Sequence, residues 1–271
     1  MKNALYTTFN DAFLETGATM IYSFLDNNKW FEGDIIILHD EGDNCKFSDE
    51  NKNILKKFSD KIKFKQVNSK DYAPIFENFP RLTQKHFKSS FYKLEMMKKD
   101  EYDIKFYIDA DVCFNASVEE LFKIETEKIK AFMCRDICSN NYGSYNVSLK
   151  TDEDYANMGF LIIDGRKLTE NDYSNIFKFC STITFNDYKN KRSFKGVFGD
   201  QDCLNEYFAD VALLPALVYD ANITQINKDN IDKVKIFHYY GAGRKPWDCD
   251  LKSNAFDIWY RYNYFVRKKL Y

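Results

Sequence analysis

The sequence predicts an α/β domain with a mostly parallel central sheet flanked by helices. Three observations predict it. Strand-like and helix-like patterns alternate through the first half of the chain, the order that crossover connections between parallel strands produce. The run 34–38 is almost continuously apolar, as a strand covered on both faces should be. A second apolar and aromatic run, 104–108, stops abruptly on Asp109-Ala110-Asp111, and open α/β sheets bind their ligands beyond the carboxyl ends of their strands.

Taken in order, residues 4–8 read as a short strand, and 11–25 carry helical apolar spacing through Phe13, Ala18, Ile21 and Leu25. The strand at 34–38 is followed by 49–58, which opens on an aspartate cap and turns helical. Residues 61–67 alternate Ile, Phe and Val as a strand does, 82–97 read as a helix, and 104–108 is the strand that feeds the aspartate pair. In the less regular second half, 129–134, 159–163, 211–214 and 234–238 read as strands, 171–183 and 200–208 as helices. The polar stretch 138–155, rich in Asn, Ser and Tyr, reads as a loop and as part of an acceptor site. With no internal repeat and no low-complexity linker, one continuous domain over 1–250 is expected, followed by an aromatic and basic helical tail at 251–271.

Composition narrows the function. A net charge of −2 leaves no overall basic footprint for nucleic acid. Seven cysteines without metal-like spacing read as reduced thiols of a cytosolic protein. No apolar run approaches the ~20 residues of a membrane span. The 25 Phe and 19 Tyr suit either a phenylalanine-filled core or surfaces that stack on sugars and bases.

Asp109 and Asp111 place hard oxygen ligands at the end of a buried strand, which suits Mn²⁺ or Mg²⁺ and the phosphates such ions accompany. The bland alternative is an exposed acidic turn. Haloacid-dehalogenase-type phosphatases also place Asp-x-Asp after a strand, with the first aspartate as nucleophile. That pattern wants Thr or Val where Cys113 stands, and an acidic residue where Leu204 stands. Further along, a strand-like run delivers His238, a reasonable third ligand for Mn²⁺. Gly241 and Gly243 would let the backbone approach a phosphate, and Arg244 and Lys245 would neutralise it.

Together these residues resemble glycosyltransferase family 8, the group of glycogenin and the bacterial lipopolysaccharide galactosyl- and glucosyltransferases. The resemblance rests on Asp109-Ala110-Asp111, Asn157-Met158-Gly159-Phe160, Gly199-Asp200-Gln201-Asp202 and His238 with Lys245-Pro246-Trp247. The N-terminal Tyr6-Thr7-Thr8, followed by Asn10-Asp11-Ala12-Phe13, resembles the family's uridine-binding first strand and loop. It implies a GT-A (Rossmann-like) nucleotide-diphospho-sugar transferase fold and a retaining transfer of glucose or galactose from a UDP-sugar to a glycan or glycolipid acceptor, in bacterial surface polysaccharide synthesis. Asp109, Asp111 and His238 would hold Mn²⁺ or Mg²⁺ against the diphosphate, with Ala110 between them. Thr7, Thr8, Asn10 and Phe13 would lie near uridine, although Phe13 also fits a core position of the first helix. Lys93 would face the sugar nucleotide, and Gly241 would close over the diphosphate. The family pattern has two residues between that glycine and its lysine. This chain has three, which leaves the phosphate contact open between Arg244 and Lys245. Asp200 and Gln201 would lie beneath the sugar, Asn157 would contact it, and Asp136 would hold its hydroxyls. Asp200 also fits a helix N-cap and Asn157 a turn before a strand.

The C-terminal tail interleaves aromatics with cations from Trp259 to Tyr271. It either packs its aromatics on the sheet or lies at an anionic membrane surface, at the inner face of the cytoplasmic membrane. A sugar-nucleotide binding protein without transfer activity is the remaining alternative.

Overall fold

The computed structural model describes the chain apart from residues 43–44, 79–87, 125–129, 137–154, 184–198, 209–210, 242–244 and 248–253. The strands are β1 (Asn3–Thr8), β2 (Asp34–His39), β3 (Ile62–Gln66), β4 (Ile104–Ile108), β5 (Val112–Phe114), β6 (Ala131–Arg135), β7 (Ala156–Asp164), β8 (Ala212–Leu214), β9 (Ala221–Asn222) and β10 (Ile236–His238). The α-helices are α1 (Leu14–Asn27), α2 (Asp49–Lys56), α3 (Ala73–Asn78), α4 (Asp172–Thr182), α5 (Asp200–Tyr207), α6 (Ala216–Tyr219) and α7 (Asn254–Leu270).

Seven strands form the main sheet in the order β3-β2-β1-β4-β7-β6-β8. All pairings are parallel except those of β7, which runs against both β4 and β6. Alternate residues leave opposite faces of a strand, and the two faces bury separate cores. Tyr6, Ile36, Leu38, Tyr107 and Leu161 meet α3, α4, α5 and a 3₁₀ segment, Ser90–Met97. Leu5, Ile35, Ile37, Phe106 and Ile162 meet α1 and a phenylalanine cluster. Phe24 lies 4.9 Å from Phe31 and 5.0 Å from Phe114, ring centre to ring centre, so much of the phenylalanine content fills this core.

A second sheet, β5-β10-β9, is what positions the site. The chain leaves the main sheet at Ile108, passes Asp109-Ala110-Asp111 and enters β5 at Val112. Beyond it, α7 packs across this sheet and α1 through Phe256, Trp259, Tyr262 and Val266. The Tyr239 hydroxyl donates to the Ala255 carbonyl at 2.6 Å, and Asn263 donates to Glu15 and Thr19 at 2.9 and 3.1 Å. One face of the tail is therefore packed, while Tyr260, Tyr264 and Phe265 of the other are exposed. No helix among the described residues is long and apolar enough to cross a membrane.

Several expectations need correction. Helix α2 is capped by the Ser48 hydroxyl, which accepts the Asn51 N–H at 3.3 Å, and not by an aspartate. Residues 82–87 lie outside the described set, and the rest of the expected helix there is largely 3₁₀, over Ser90–Met97. The polar stretch 138–155 also lies outside it, except for Tyr155. Among the described residues the cysteines at 45, 113, 134, 180 and 203 are free thiols, all buried.

Candidate active site

Parallel strands β1, β2 and β4 end on the same side, and the strand order reverses between β1 and β4, the switch point where such sheets open a crevice. A cavity of about 620 Å³ lies there. The end of β1 supplies Thr8 to its wall, the turn after it supplies Asn10 and Phe13, and the turn after β4 supplies Asp109, Ala110 and Asp111. Asn10 caps its own 3₁₀ turn by accepting the Ala12 N–H at 3.1 Å. That leaves Phe13 at the mouth, 39% exposed and not in the core. Thr7 is fully buried in β1 and is not among the residues of the wall.

Strand pairing brings His238 to the aspartates across 127 residues of sequence. In the antiparallel register of β5 and β10, His238 faces Val112, and the Tyr239 N–H donates to the Asp111 carbonyl at 2.9 Å. Imidazole Nε2 then sits 3.2 Å from Asp111 Oδ1 and 4.0 Å from Asp109 Oδ2. Asp109 is held from the other side, its N–H donating to the Gly159 carbonyl at 2.9 Å and its carboxylate accepting the Tyr107 hydroxyl at 2.9 Å.

One ligand atom from each of Asp109, Asp111 and His238 lies within 4.8 Å of the others. Gly159 keeps the space between them clear. A Cβ there would stand 2.5 Å from the His238 ring and 2.6 Å from Asp109 Oδ2. Two carboxylates and an imidazole around such a clearing fit a divalent ion of the Mn²⁺ type. The charges agree. Burial pushes the Asp109 carboxyl up, with Asp111 adding to it and Lys93 opposing. Burial acts the same way on Asp111, but Lys245 and His238 outweigh it and hold that carboxyl well below the usual range. Burial disfavours the imidazolium of His238, yet Asp220 and Asp111 raise its pKa to about 10. The cluster thus attracts positive charge, and the Lys245 ammonium already lies against Asp111 Oδ2.

Lys93 is buried in the cavity wall. Its ammonium donates to Asp200 Oδ2 at 2.7 Å and to the Met158 carbonyl at 2.6 Å, and lies 4.6 Å from the centre of the Tyr107 ring. Ser90 donates to the other Asp200 oxygen at 2.7 Å. Gly199, at φ 50°, is the residue before α5, so Asp200 starts the helix without capping it. Gln201 Nε2 donates to Asp136 at 2.9 Å, and its Oε1 accepts the Met158 N–H at 3.3 Å. Asn157 is a residue of β7 itself, where the pairing with β6 shifts register, and its Oδ1 accepts the Gly159 N–H at 2.8 Å. Gly241 closes one side at φ 96°, a conformation that favours glycine, with Lys245 and Trp247 nearby. Arg244 lies outside the described residues. Sequence reasoning missed Asp220, whose carboxylate takes the inner nitrogen of His238, and gave no weight to Gly159 as the gap between ligands. No local motif marks Asp220, because only the pairing of β9 with β10 brings it to the histidine.

The family model of glycosyl transferase family 8 matches residues 4–250. The chain belongs to that family. Galactinol synthase 6 of Arabidopsis thaliana is 22% identical over 213 residues, covering 69% of this chain and 59% of the relative. Galactinol synthase 2 of the same plant is 25% identical over 203 residues, covering 66% and 56%. The chain thus spans less than two thirds of the length of these curated relatives. Among solved structures, the galactosyltransferase LgtC, in complex with donor and acceptor sugar analogs, superposes with a TM-score of 0.73 at 18% identity, over 98% of this chain and 100% of that one. GlyE, a glycosyltransferase of Streptococcus pneumoniae, gives 0.61 at 16% identity over 99% and 63%. The family 8 fold here is GT-A, a mostly parallel sheet with helices on both faces.

Proposed function

We propose that this family 8 chain is a metal-dependent, retaining hexosyltransferase that moves glucose or galactose from a UDP-sugar to a glycan or glycolipid acceptor. The observation that carries the reading is the Asp109, Asp111 and His238 cluster in the wall of a cavity that Asp200 and Gln201 also line. Mn²⁺ or Mg²⁺ held there would offset the charge that develops on the departing diphosphate. The chain's own residues do the rest. Phe13 and Asn10 line the end of the cavity suited to uridine. Lys245 sits within reach of the diphosphate position, and Gly241 lets the backbone come close. Asp200, oriented by Lys93 and Ser90, presents negative charge beneath the sugar, where an oxocarbenium-like centre forms. Gln201, tied to Asp136 and the Met158 N–H, is rigidly placed beside it. Retention requires the acceptor hydroxyl to arrive on the face the diphosphate leaves, or a double displacement through an enzyme nucleophile.

Galactose recurs in the names of the similar proteins, a galactosyltransferase and the galactinol synthases, which supports a hexose donor. A role in bacterial surface polysaccharide or lipopolysaccharide synthesis, in the cytoplasm, completes the proposal. Incubation with Mn²⁺ and a panel of UDP-sugars tests it, with slow hydrolysis of UDP-glucose or UDP-galactose as the expected result. UDP binding without turnover of any donor would favour a non-catalytic binding protein instead. The exposed face of α7 carries Tyr260, Tyr264 and Phe265 among Arg261, Arg267, Lys268 and Lys269, which supports peripheral contact with an anionic membrane. Co-sedimentation with anionic liposomes that is unchanged after deletion of residues 260–271 would remove that part of the reading.

A further inference from the structure

We propose that Asp220 is a positioning residue for the metal cluster, holding His238 in the one tautomer and ring orientation that directs Nε2 at the ion. The inference deepens the proposed function and rests on the metal reading of Asp109, Asp111 and His238. His238 Nδ1 lies 2.7 Å from Asp220 Oδ1, on the side of the ring opposite the two aspartates. With Nδ1–H donated to that carboxylate, Nε2 is the nitrogen left facing the ion position, 3.2 Å from Asp111 Oδ1. A ligand histidine whose far nitrogen donates to a carboxylate is fixed in tautomer and strengthened as a donor.

Asp220 has little else to do. It is fully buried, and its second oxygen, Oδ2, has no hydrogen-bond partner among the described residues. A buried carboxylate with an unpartnered oxygen is unfavourable for folding, so its place needs another explanation. The backbone supplies the geometry. Asp220 ends α6, its N–H donating to the Ala216 carbonyl at 2.9 Å, and the next two residues form β9. Strand β9 pairs in parallel with β10, Ala221 beside Phe237 and Asn222 beside His238. The carboxylate is thereby fixed one residue ahead of β9, beside the strand that carries its partner. Neither Asp109 nor Asp111 can serve instead, since both face Nε2.

The test uses the whole chain stripped of metal and titrated with MnCl₂ by calorimetry, with free Mn²⁺ followed by electron paramagnetic resonance. Asp220→Ala is expected to weaken Mn²⁺ binding by about 10–100-fold, and Asp220→Asn by less, because its Oδ1 can still accept the Nδ1–H. Circular dichroism of each variant checks the fold, and the near-isosteric Asp220→Asn carries the test if Asp220→Ala does not fold. A merely structural role would leave the ring nitrogens alone. Long-range ¹⁵N–¹H spectra of the chain saturated with diamagnetic Mg²⁺ should therefore show the His238 proton on Nδ1 in the wild type and a mixed or reversed tautomer in Asp220→Ala. Folded variants that bind Mn²⁺ as tightly as the wild type, with the tautomer unchanged, overturn this inference alone. A wild-type chain that binds no Mn²⁺ overturns the metal reading and this inference with it.

Discussion

Replacing Lys93 with methionine should destabilise the fold far more than a single lysine usually does. The side chain is 2% exposed and its ammonium has three neighbours, Asp200 Oδ2 at 2.7 Å, the Met158 carbonyl at 2.6 Å and the Tyr107 ring at 4.6 Å. Methionine keeps the bulk and removes the charge. Asp200, itself only 7% exposed, would keep the Ser90 hydroxyl on Oδ1 and lose its counter-charge on Oδ2. Removing one member of a buried pair leaves an uncompensated charge and costs about 3–5 kcal/mol, which lowers Tm by roughly 5–9 °C in a chain of this size. The assay is urea denaturation of wild type, Lys93→Met, Asp200→Asn and the double variant. The double variant removes both charges and should recover a large part of the loss, with a coupling of about 1–3 kcal/mol. A loss below about 1 kcal/mol in Lys93→Met, the range of exposed pairs, would refute the reasoning, as would strict additivity.

Three further outcomes follow from the same geometry. Gly159→Ala carries no positive-φ penalty, so its effect should come from the Cβ pressed against His238 and Asp109. Overpacking of about 1–3 kcal/mol should appear as weakened Mn²⁺ binding in calorimetry with a nearly intact circular dichroism spectrum. Lys245→Met removes the ammonium that lies against Asp111. It should tighten Mn²⁺ binding in the absence of nucleotide, by about tenfold, while weakening UDP binding in the presence of metal. Glu95 is nearly buried, and although burial favours its neutral form, Lys98 and Lys65 lower its pKa below the usual 4.5. A depressed carboxyl contributes stability above its unfolded value and loses it as pH falls through its folded value. Thermal melts across pH should thus show Glu95→Gln less stable at neutral pH, with a flatter decline below about pH 4.5.

The elements legible in the sequence are those whose burial leaves a pattern. Strand β4 reads as a buried run because both of its faces are covered, and Asp109 and Asp111 read as ligands because that run stops on them. Helix α1 announces itself by apolar spacing through Ala18 and Ile21, and α4 buries Ile176 and Cys180 one turn apart. Strands β5 and β9 are three and two residues long, too short for any period, and they exist through pairing with β10. The site inherits that division. His238 stood out as a strand end before a glycine turn, whereas Asp220 sits in Val218-Tyr219-Asp220-Ala221 with nothing local to mark it. Lys93 was legible as a basic residue beside the aspartate pair, yet its ammonium is turned onto Asp200 and Met158, an orientation set by packing of the Ser90–Met97 segment against β1, β4 and α4. That segment has helical apolar spacing, and spacing alone does not separate an α-helix from a 3₁₀ helix over two turns.

If Asp109, Asp111 and His238 hold a divalent ion required for UDP-hexose turnover, activity must depend on both the ion and its ligands. Release of UDP from UDP-glucose and UDP-galactose, measured for wild type and Asp111→Asn with Mn²⁺ and with EDTA, tests it most directly. Turnover is expected of the wild type with Mn²⁺ only, and loss of activity in Asp111→Asn with an unchanged circular dichroism spectrum. Full activity in EDTA, or in Asp111→Asn, would contradict it.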